Sequence, residues 1–359
     1  MDTPGSEKKW MIYGVTGYTG KHCAEEAVRR GLQPVVAGRN RKLVEAAAAK
    51  LNLPCAVFSL DQPDKAAAAL QDMDLVLNCA GPFSATIQPF LEACVRSRCH
   101  YLDVTGEIPV FEYVHLNTER WKEAGIAVVP GVGFDVVPTD CIAALLKEAL
   151  PDAVQLRMAF KSKTGKVSPG TAKTILEGFS KGGMIRHEGR LVSIPSGSLV
   201  RKIPYADGEY LSVSIPWGDV STAYYSTGIP NIELYTAMPE DRLQLVRLMR
   251  YLAPLVRLRP VQRLIKNQIA QTVKGPTEAE RLADTSELYG VVTNAAGERK
   301  EIWMSAPNGY TLTFDAAVSA AERMLEEEGF AGAYTPSQAF CADFAGTLEG
   351  VSLRFSDES

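Results

Sequence analysis

Residues 10–20 read WMIYGVTGYTG, an apolar tetrad that runs straight into glycines at 14, 17 and 20. An amphipathic stretch from about Thr19 to Arg30 follows, with Ala24, Ala27 and Val28 on one side and Gly31 just past its end. Strand, glycine turn and helix in that order are the context a dinucleotide fingerprint requires. Gly14 permits a tight turn, Gly17 lets the backbone approach a pyrophosphate, and Gly20 lets the helix pack closely on its sheet. Thr16, Tyr18 and Thr19 lie in the same turn, whose unpaired amides open the helix and suit phosphate oxygens. The spacing is GxxGxxG rather than GxGxxG, so the strand and helix around the motif carry much of the reading.

Outward from this turn the pattern repeats. Apolar runs at 34–37, 55–58, 73–79, 100–104 and 126–129 predict strands, and 41–51, 63–70, 85–97 and 109–123 predict helices between them. Strands that alternate with helices and are apolar along their length indicate a parallel sheet covered on both faces. The expected fold class is α/β, a Rossmann doubly wound sheet of order 3-2-1-4-5-6. A helix at 139–149 closes this part. From Val154 the period becomes two, with Val154, Leu156, Met158 and Phe160 in alternation. Further strands are expected at 210–215, 221–226, 232–237, 288–293, 299–306 and 310–314, the last leading into a helix at 315–328 with Ala317, Ala321, Met324 and Leu325 in register. These form a second α+β domain on a mixed, largely antiparallel sheet. The expected boundaries are 1–151 plus 331–359 for the first domain and 152–330 for a substrate or dimerisation domain.

The end of the second strand indicates the cofactor. It reads AGRNRK, with Arg39 and Asn40 where an NAD site places an acid for the ribose hydroxyls. A guanidinium binds a 2′-phosphate through its fork, so the expectation is NADP(H). Ligands of this architecture lie beyond the carboxyl ends of the strands. Strand four ends in Asn78, Cys79, Ala80, Gly81 and Pro82, small residues that leave room for a nicotinamide ribose. Strand five supplies Asp103 and Glu107, and the segment after strand six supplies Gly131, Gly133 and Asp135. Those carboxylates can orient a substrate or pass a proton, or they can cap helices and tie turns.

Composition narrows the class. A net charge of −4 argues against binding nucleic acid through bulk charge. No apolar run reaches the ~18 residues of a spanning helix, and the polar start lacks a signal-peptide core, so a cytoplasmic location is expected. The seven cysteines form no CxxC pair and read as buried, reduced thiols. Four histidines without HxxxH or HExxH spacing give no metal site. No tyrosine has lysine four residues on, which counts against a short-chain dehydrogenase. Cys141 lies in an apolar helix pattern with no histidine nearby, which counts against a cysteine-dependent semialdehyde reductase. A stretch from Asp241 sets Leu245, Leu248, Met249 and Leu252 on one side and Arg242, Arg247, Arg250 and Arg257 largely elsewhere, as a core-facing helix or one in peripheral contact with a membrane or acyl carrier.

Taken in order, GVTGYTG, AGRN, NCAGPF, YLDVTGE and PGVGFDVVPTD resemble the saccharopine dehydrogenase-like family, which includes the trans-acting enoyl reductases. The likeness continues through SPGTAKTILEG (168–178), PWGDVSTAYYSTGIPNIELY (216–235), GPTEAER (275–281), NGYTLTFDAAVSAAERML (308–325) and YTPSQAF (334–340). It implies an NADP-binding domain, an inserted substrate domain and hydride transfer to a C=C or C=N bond of a small-molecule or acyl substrate. Residues 168–174 and 217–228 are the expected substrate wall, with Lys173, Trp217 and Tyr224 as candidates. The alternative is an NADP(H)-binding sensor or scaffold without turnover. A homodimer is expected from the second sheet.

Overall fold

A computed structural model describes residues 8–163, 165, 167–172, 176, 182–249, 258–326 and 329–356, which form two compact units. The first holds the described residues up to Thr105 with Pro109–Gly133 and Thr313–Tyr334; the second holds Gly106–Ile108, Phe134–Leu312 and Thr335 onward.

In the first unit the chain runs β1 (Trp10–Tyr13), α1 (Tyr18–Arg29), β2 (Val35–Gly38), α2 (Arg41–Leu51), β3 (Cys55–Val57), α3 (Pro63–Leu70), β4 (Leu75–Asn78), α4 (Phe83–Ser97), β5 (His100–Asp103), α5 (Ile108–Leu116), α6 (Thr118–Ala124) and β6 (Ala127–Val129). All strands are parallel in the order β6-β5-β4-β1-β2-β3, and a short strand, Gly332–Ala333, adds a seventh beside β6. This is the Rossmann order, and β1 and β4 are buried at every residue, as a sheet covered on both faces demands. The single helix expected over 109–123 is two. The chain breaks at Asn117, whose Nδ2 donates to the Tyr113 carbonyl at 2.7 Å, and buried Trp121 donates its indole N–H to the Val114 carbonyl at 2.8 Å.

The strand expected at 310–314 is instead the start of a helix, Gly309–Glu326. Leu312, Ala316, Ala317, Ala320, Ala321 and Met324 are buried at helical spacing, and that burial overrides the β-branched and aromatic composition of YTLTF. Within the first unit Arg30, at the end of α1, reaches this helix. Its guanidinium lies 2.7 Å from Glu26, 2.6 Å from Asp315 and 2.7 Å from Glu322.

The second unit contains α7 (Val137–Ala149), β7 (Ala153–Ser162), β8 (Gly183–His187), β9 (Arg190–Ile194), β10 (Val200–Tyr205), β11 (Gly208–Ser214), α8 (Asp219–Thr227), β12 (Asn231–Ala237), β13 (Thr285–Asn294) and β14 (Arg299–Pro307). Its sheet runs β10-β11-β12-β7-β13-β14, then Ser352–Phe355, with β8 on β12 and β9 on β8. Among the described residues, only β7 and β12 of this sheet pair in parallel. The Trp303 indole of β14 donates to the Pro204 carbonyl of β10 at 2.7 Å, although four strands separate β10 from β14 in the sheet order. The sheet therefore curls back on itself around Ile203, Tyr205, Tyr235, Tyr289 and Val291.

The units divide the chain at other residues than the expected boundaries. Helix α7 packs on β13 at Gly290, where a Cβ would meet Ile142 at 2.3 Å. After Ala333 the chain leaves the first sheet, and Ser352–Phe355 pairs with β14. The expected strand 221–226 is helix α8, with Val220, Ser221, Thr222 and Ala223 all buried and Gly228 in the left-handed region at its end. Strands β8, β9, β10 and Ser352–Phe355 were not expected. In the helix Glu240–Met249 the buried leucine is Leu243, packed against Gly197, whereas Leu245 and Leu248 are exposed; this corrects the apolar face read from the sequence. Arg250, Leu252 and Arg257 lie outside the described residues. All the cysteines are free thiols: Cys23, Cys94, Cys99 and Cys141 are buried, Cys79 is half-buried, and Cys55 and Cys341 are exposed, against the expectation of burial throughout. Among the described residues no helix is long and apolar enough to cross a membrane, and no cluster of His, Cys, Asp or Glu could hold a metal ion.

Candidate functional site

Three glycines build the turn between β1 and α1 for three different reasons. Gly14 has φ +94°, and a Cβ there would lie 3.0 Å from the backbone at Cys79 and Ala80. The turn therefore sits against the carboxyl end of β4. Gly17 is the N-cap of α1 in ordinary extended geometry; with no side chain it caps nothing, and the first turn of α1 carries no acidic residue. A Cβ on Gly20 would lie 2.4 Å from the Gly14 carbonyl oxygen, so the helix closes on the turn only with glycine there. The result is a helix start whose positive end no side chain of its own cap neutralises. Thr16 is exposed and Thr19 half-buried at this opening. Tyr18 stands edge-on to His22, with ring centroids 4.8 Å apart.

Arg39 follows directly after β2 and is exposed, and no hydrogen bond or ion pair engages it among the described residues. Burial raises the Tyr13 phenol above its ordinary pKa, while the nearby Arg39 charge pulls it down. Asn40 has a structural partner, because its side chain accepts from the Leu43 amide at 3.2 Å and caps α2. The fit for a dinucleotide is thus good: a start of α1 with no side-chain cap, an exposed guanidinium at the end of β2, and a cradle at Gly14 that a Cβ would fill.

Across the ends of β4, β5 and β6 runs a chain of buried hydrogen bonds. Asn78 accepts from the Ala80 amide at 2.9 Å and donates to the Tyr101 hydroxyl at 3.0 Å. Tyr101 donates to Asp103 at 2.9 Å, and the other oxygen of Asp103 accepts from the amides of Thr105 and Gly131 at 3.0 and 2.9 Å. Desolvation is the main cause that holds the Tyr101 phenol well above its usual range, and the Asp103 charge adds to it. Asp103 thereby fixes the loop after β6 at Gly131, which has φ +78° and leaves no room for a Cβ against Phe111. At Gly133 a Cβ would lie 3.0 Å from the Thr313 side chain. Gly81 and Pro82 are exposed at the end of β4, joined by a cis peptide.

The second unit brings other candidates together. The Asp135 carboxylate lies against Gly106, where a Cβ would be 2.8 Å from Oδ2. Burial, then the charge of Asp219, pushes the Asp135 carboxyl well above the usual carboxylate range. Asp219, in the first turn of α8, accepts from the Thr139 hydroxyl, and burial pushes it up to about 7. Asp140 accepts from the Ser226 hydroxyl and, at 2.8 Å, from the Ser337 amide; burial raises it also. Glu107 is half-buried beside Gly106. Tyr224 carries the Arg186 guanidinium 4.2 Å over its ring. Trp217 stacks on Phe160 at 4.4 Å, and Phe160 meets Phe134 edge-on at 5.7 Å. Lys173 lies outside the described residues. Sequence reasoning missed Tyr101, Asp140 and Asp219. Tyr101 was within reach, since a strand places it on the same face as Asp103.

Residues 10–129 match the family model described as the saccharopine dehydrogenase NADP binding domain. Over these residues, a third of the chain, the sequence is similar to that domain. The NADP-binding domain so identified spans β1 through β6, and its cofactor is NADP(H). Among curated relatives, a mitochondrial saccharopine dehydrogenase-like oxidoreductase of Arabidopsis thaliana is 33% identical over 147 residues, 36% of this chain and 32% of that protein. The Homo sapiens saccharopine dehydrogenase-like oxidoreductase is 27% identical over 150 residues, 36% of this chain and 35% of its own length. A Mycobacterium tuberculosis protein that carries the name trans-acting enoyl reductase is 29% identical over 181 residues, 46% and 43% of the two chains. The matches span under half the length of these relatives. Among solved structures, apo saccharopine dehydrogenase (L-Glu forming) from Saccharomyces cerevisiae aligns with a TM-score of 0.64 over 97% of this chain and 100% of that one, at 10% identity, a likeness of fold.

Proposed function

We propose that the chain is an NADPH-dependent reductase that delivers a hydride to a C=C (enoyl) or C=N (imine) bond of a small-molecule or acyl substrate. The observation that carries this reading is the bare start of α1 at Gly17 beside the unengaged guanidinium of Arg39. The amides of Tyr18, Thr19 and Gly20 would take the diphosphate, with Thr16 beside them. Arg39 would hold the 2′-phosphate, with Asn40 next to it as the cap of α2. Asn78, Ala80, Gly81 and Pro82 would border the nicotinamide ribose, and Gly131 and Gly133 would let the backbone come close. Bound NADPH supplies the hydride; the chain supplies position and a proton.

Of the carboxylates, Asp135 fits the proton-donating role, because burial and the nearby Asp219 charge both favour its neutral, protonated form. Asp103, which accepts three hydrogen bonds from its surroundings, fits a positioning role instead. Glu107, Lys173 and Tyr224 remain candidates on the substrate side. Steady-state oxidation of NADPH against enoyl-thioester, enone and imine substrates tests the reading. At least one class should be turned over, and Asp135→Asn should lower kcat roughly tenfold or more with NADPH affinity unchanged. Tight NADPH binding with no oxidation against any class would overturn it in favour of a sensor.

A further inference from the structure

The curled sheet of the second unit leaves a groove of about 320 Å³ in which Arg157, Arg201, Lys202 and Arg299 surround a floor that includes Ile203 and Val291. The cations outnumber their partners. Glu233 accepts from the Tyr235 hydroxyl at 2.7 Å, and the same oxygen lies 3.4 Å from Arg201 and 3.5 Å from Arg157. Glu301 accepts from the Tyr289 hydroxyl at 2.8 Å and from Arg299 at 2.7 Å. Lys202 has Glu209 at 3.7 Å, with both side chains exposed. Four cations therefore face three carboxylates, two of which are shared with phenols.

Arg157 is the least satisfied. It donates from Nη2 to the Gln155 side chain at 2.8 Å, but its Nε is buried and has no hydrogen-bond partner, and Glu233 stands too far off to serve it. An unmet buried Nε on a partly buried guanidinium is costly, and the arginine fork is shaped for two oxygens of one carboxylate or phosphate. Ile203 and Val291 are each 4% exposed, so the floor beneath the cations is apolar.

We propose that this groove is a second ligand site, separate from the dinucleotide turn, which binds a small oxyanion carrying a short apolar group. The oxyanion, a carboxylate or a phosphate monoester, takes up the excess charge of Arg157, Arg201 and Arg299, and the apolar group lies on Ile203 and Val291. Titration calorimetry on the full chain, saturated with NADP+ and held at constant ionic strength with sodium chloride, tests it. The probes are butyrate, butyl phosphate and inorganic phosphate. At least one should saturate below about 10 mM. Butyrate against butyl phosphate identifies the head group, and butyl phosphate against inorganic phosphate measures the apolar contact. Arg157→Met should weaken the preferred probe roughly tenfold or more, and Arg299→Met, at an exposed position, should weaken it as well without touching the fold. No saturable binding of any probe, or unchanged binding in both variants, would overturn the proposal. Loss of NADPH turnover elsewhere in the molecule would leave these outcomes as they stand.

Discussion

At the scale of single residues, Arg39 and Asp219 show how environment sets a role. Arg39 is an exposed charge with no partner of its own among the described residues. Arg39→Glu should weaken NADPH by roughly a hundredfold and NADH by much less, as read by calorimetry, because only NADPH carries the phosphate that a carboxylate repels. Equal losses for both would remove Arg39 from the site. Asp219 is the reverse case, a carboxyl held near pKa 7 mainly by burial. Its folded value lies above the ordinary carboxylate value, so the fold binds the extra proton between about pH 4 and 7. Its contribution to stability is complete below that window and is lost as pH rises through about 7. Denaturant unfolding near pH 5 and pH 8 should show wild type losing more stability than Asp219→Asn, by an amount on the order of a few kcal/mol. The glycine turn was legible in the sequence because its position between β1 and α1 gives it meaning, and Arg39 stands directly after β2 as the sequence order places it. Asp219 was not, since nothing local to PWGDV reveals that α8 is buried around it.

At the scale of elements, the alternation of apolar runs in the first 129 residues was readable because each buried strand carries its own signal. Two segments misled the reading, YTLTF at 310–314 and VSTAYYST at 220–227, because β-branched and aromatic residues favour strands while both segments fold as helices. Their helical burial depends on partners remote in sequence, so a local pattern cannot report it. Arg30 is such a partner for the helix Gly309–Glu326, gathering Asp315 and Glu322 onto the end of α1 with Glu26. Arg30→Met should destabilise the chain by about 2 kcal/mol, since three partly buried carboxylates would be left facing one another. Thermal unfolding measures this, and a change within about 0.5 kcal/mol would show that the network carries little.

At the scale of the whole molecule, order along the chain foretold the first sheet and said little about the second. In the first sheet most neighbours are consecutive strands, with β1 against β4 and Gly332–Ala333 against β6 as the long-range pairings of a doubly wound sheet, whereas the Trp303–Pro204 bond that curls the second joins residues 99 apart on strands that are not sheet neighbours. The arginine groove is a product of that curl, and no segment announces it. The proposed function rests on the opening of α1, where Gly17 supplies no side-chain cap. The most direct test is Gly17→Asp, which places a side chain with the preferred N-cap chemistry at ordinary extended dihedrals, its Cβ 3.3 Å from the Gly14 carbonyl oxygen, a close approach that a shift of a few tenths of an ångström relieves. The account predicts a folded protein that melts cooperatively, with NADPH affinity weakened roughly a hundredfold or more, because the new carboxylate takes the amides and repels the diphosphate. Unchanged NADPH affinity in a well-folded Gly17→Asp protein would contradict it.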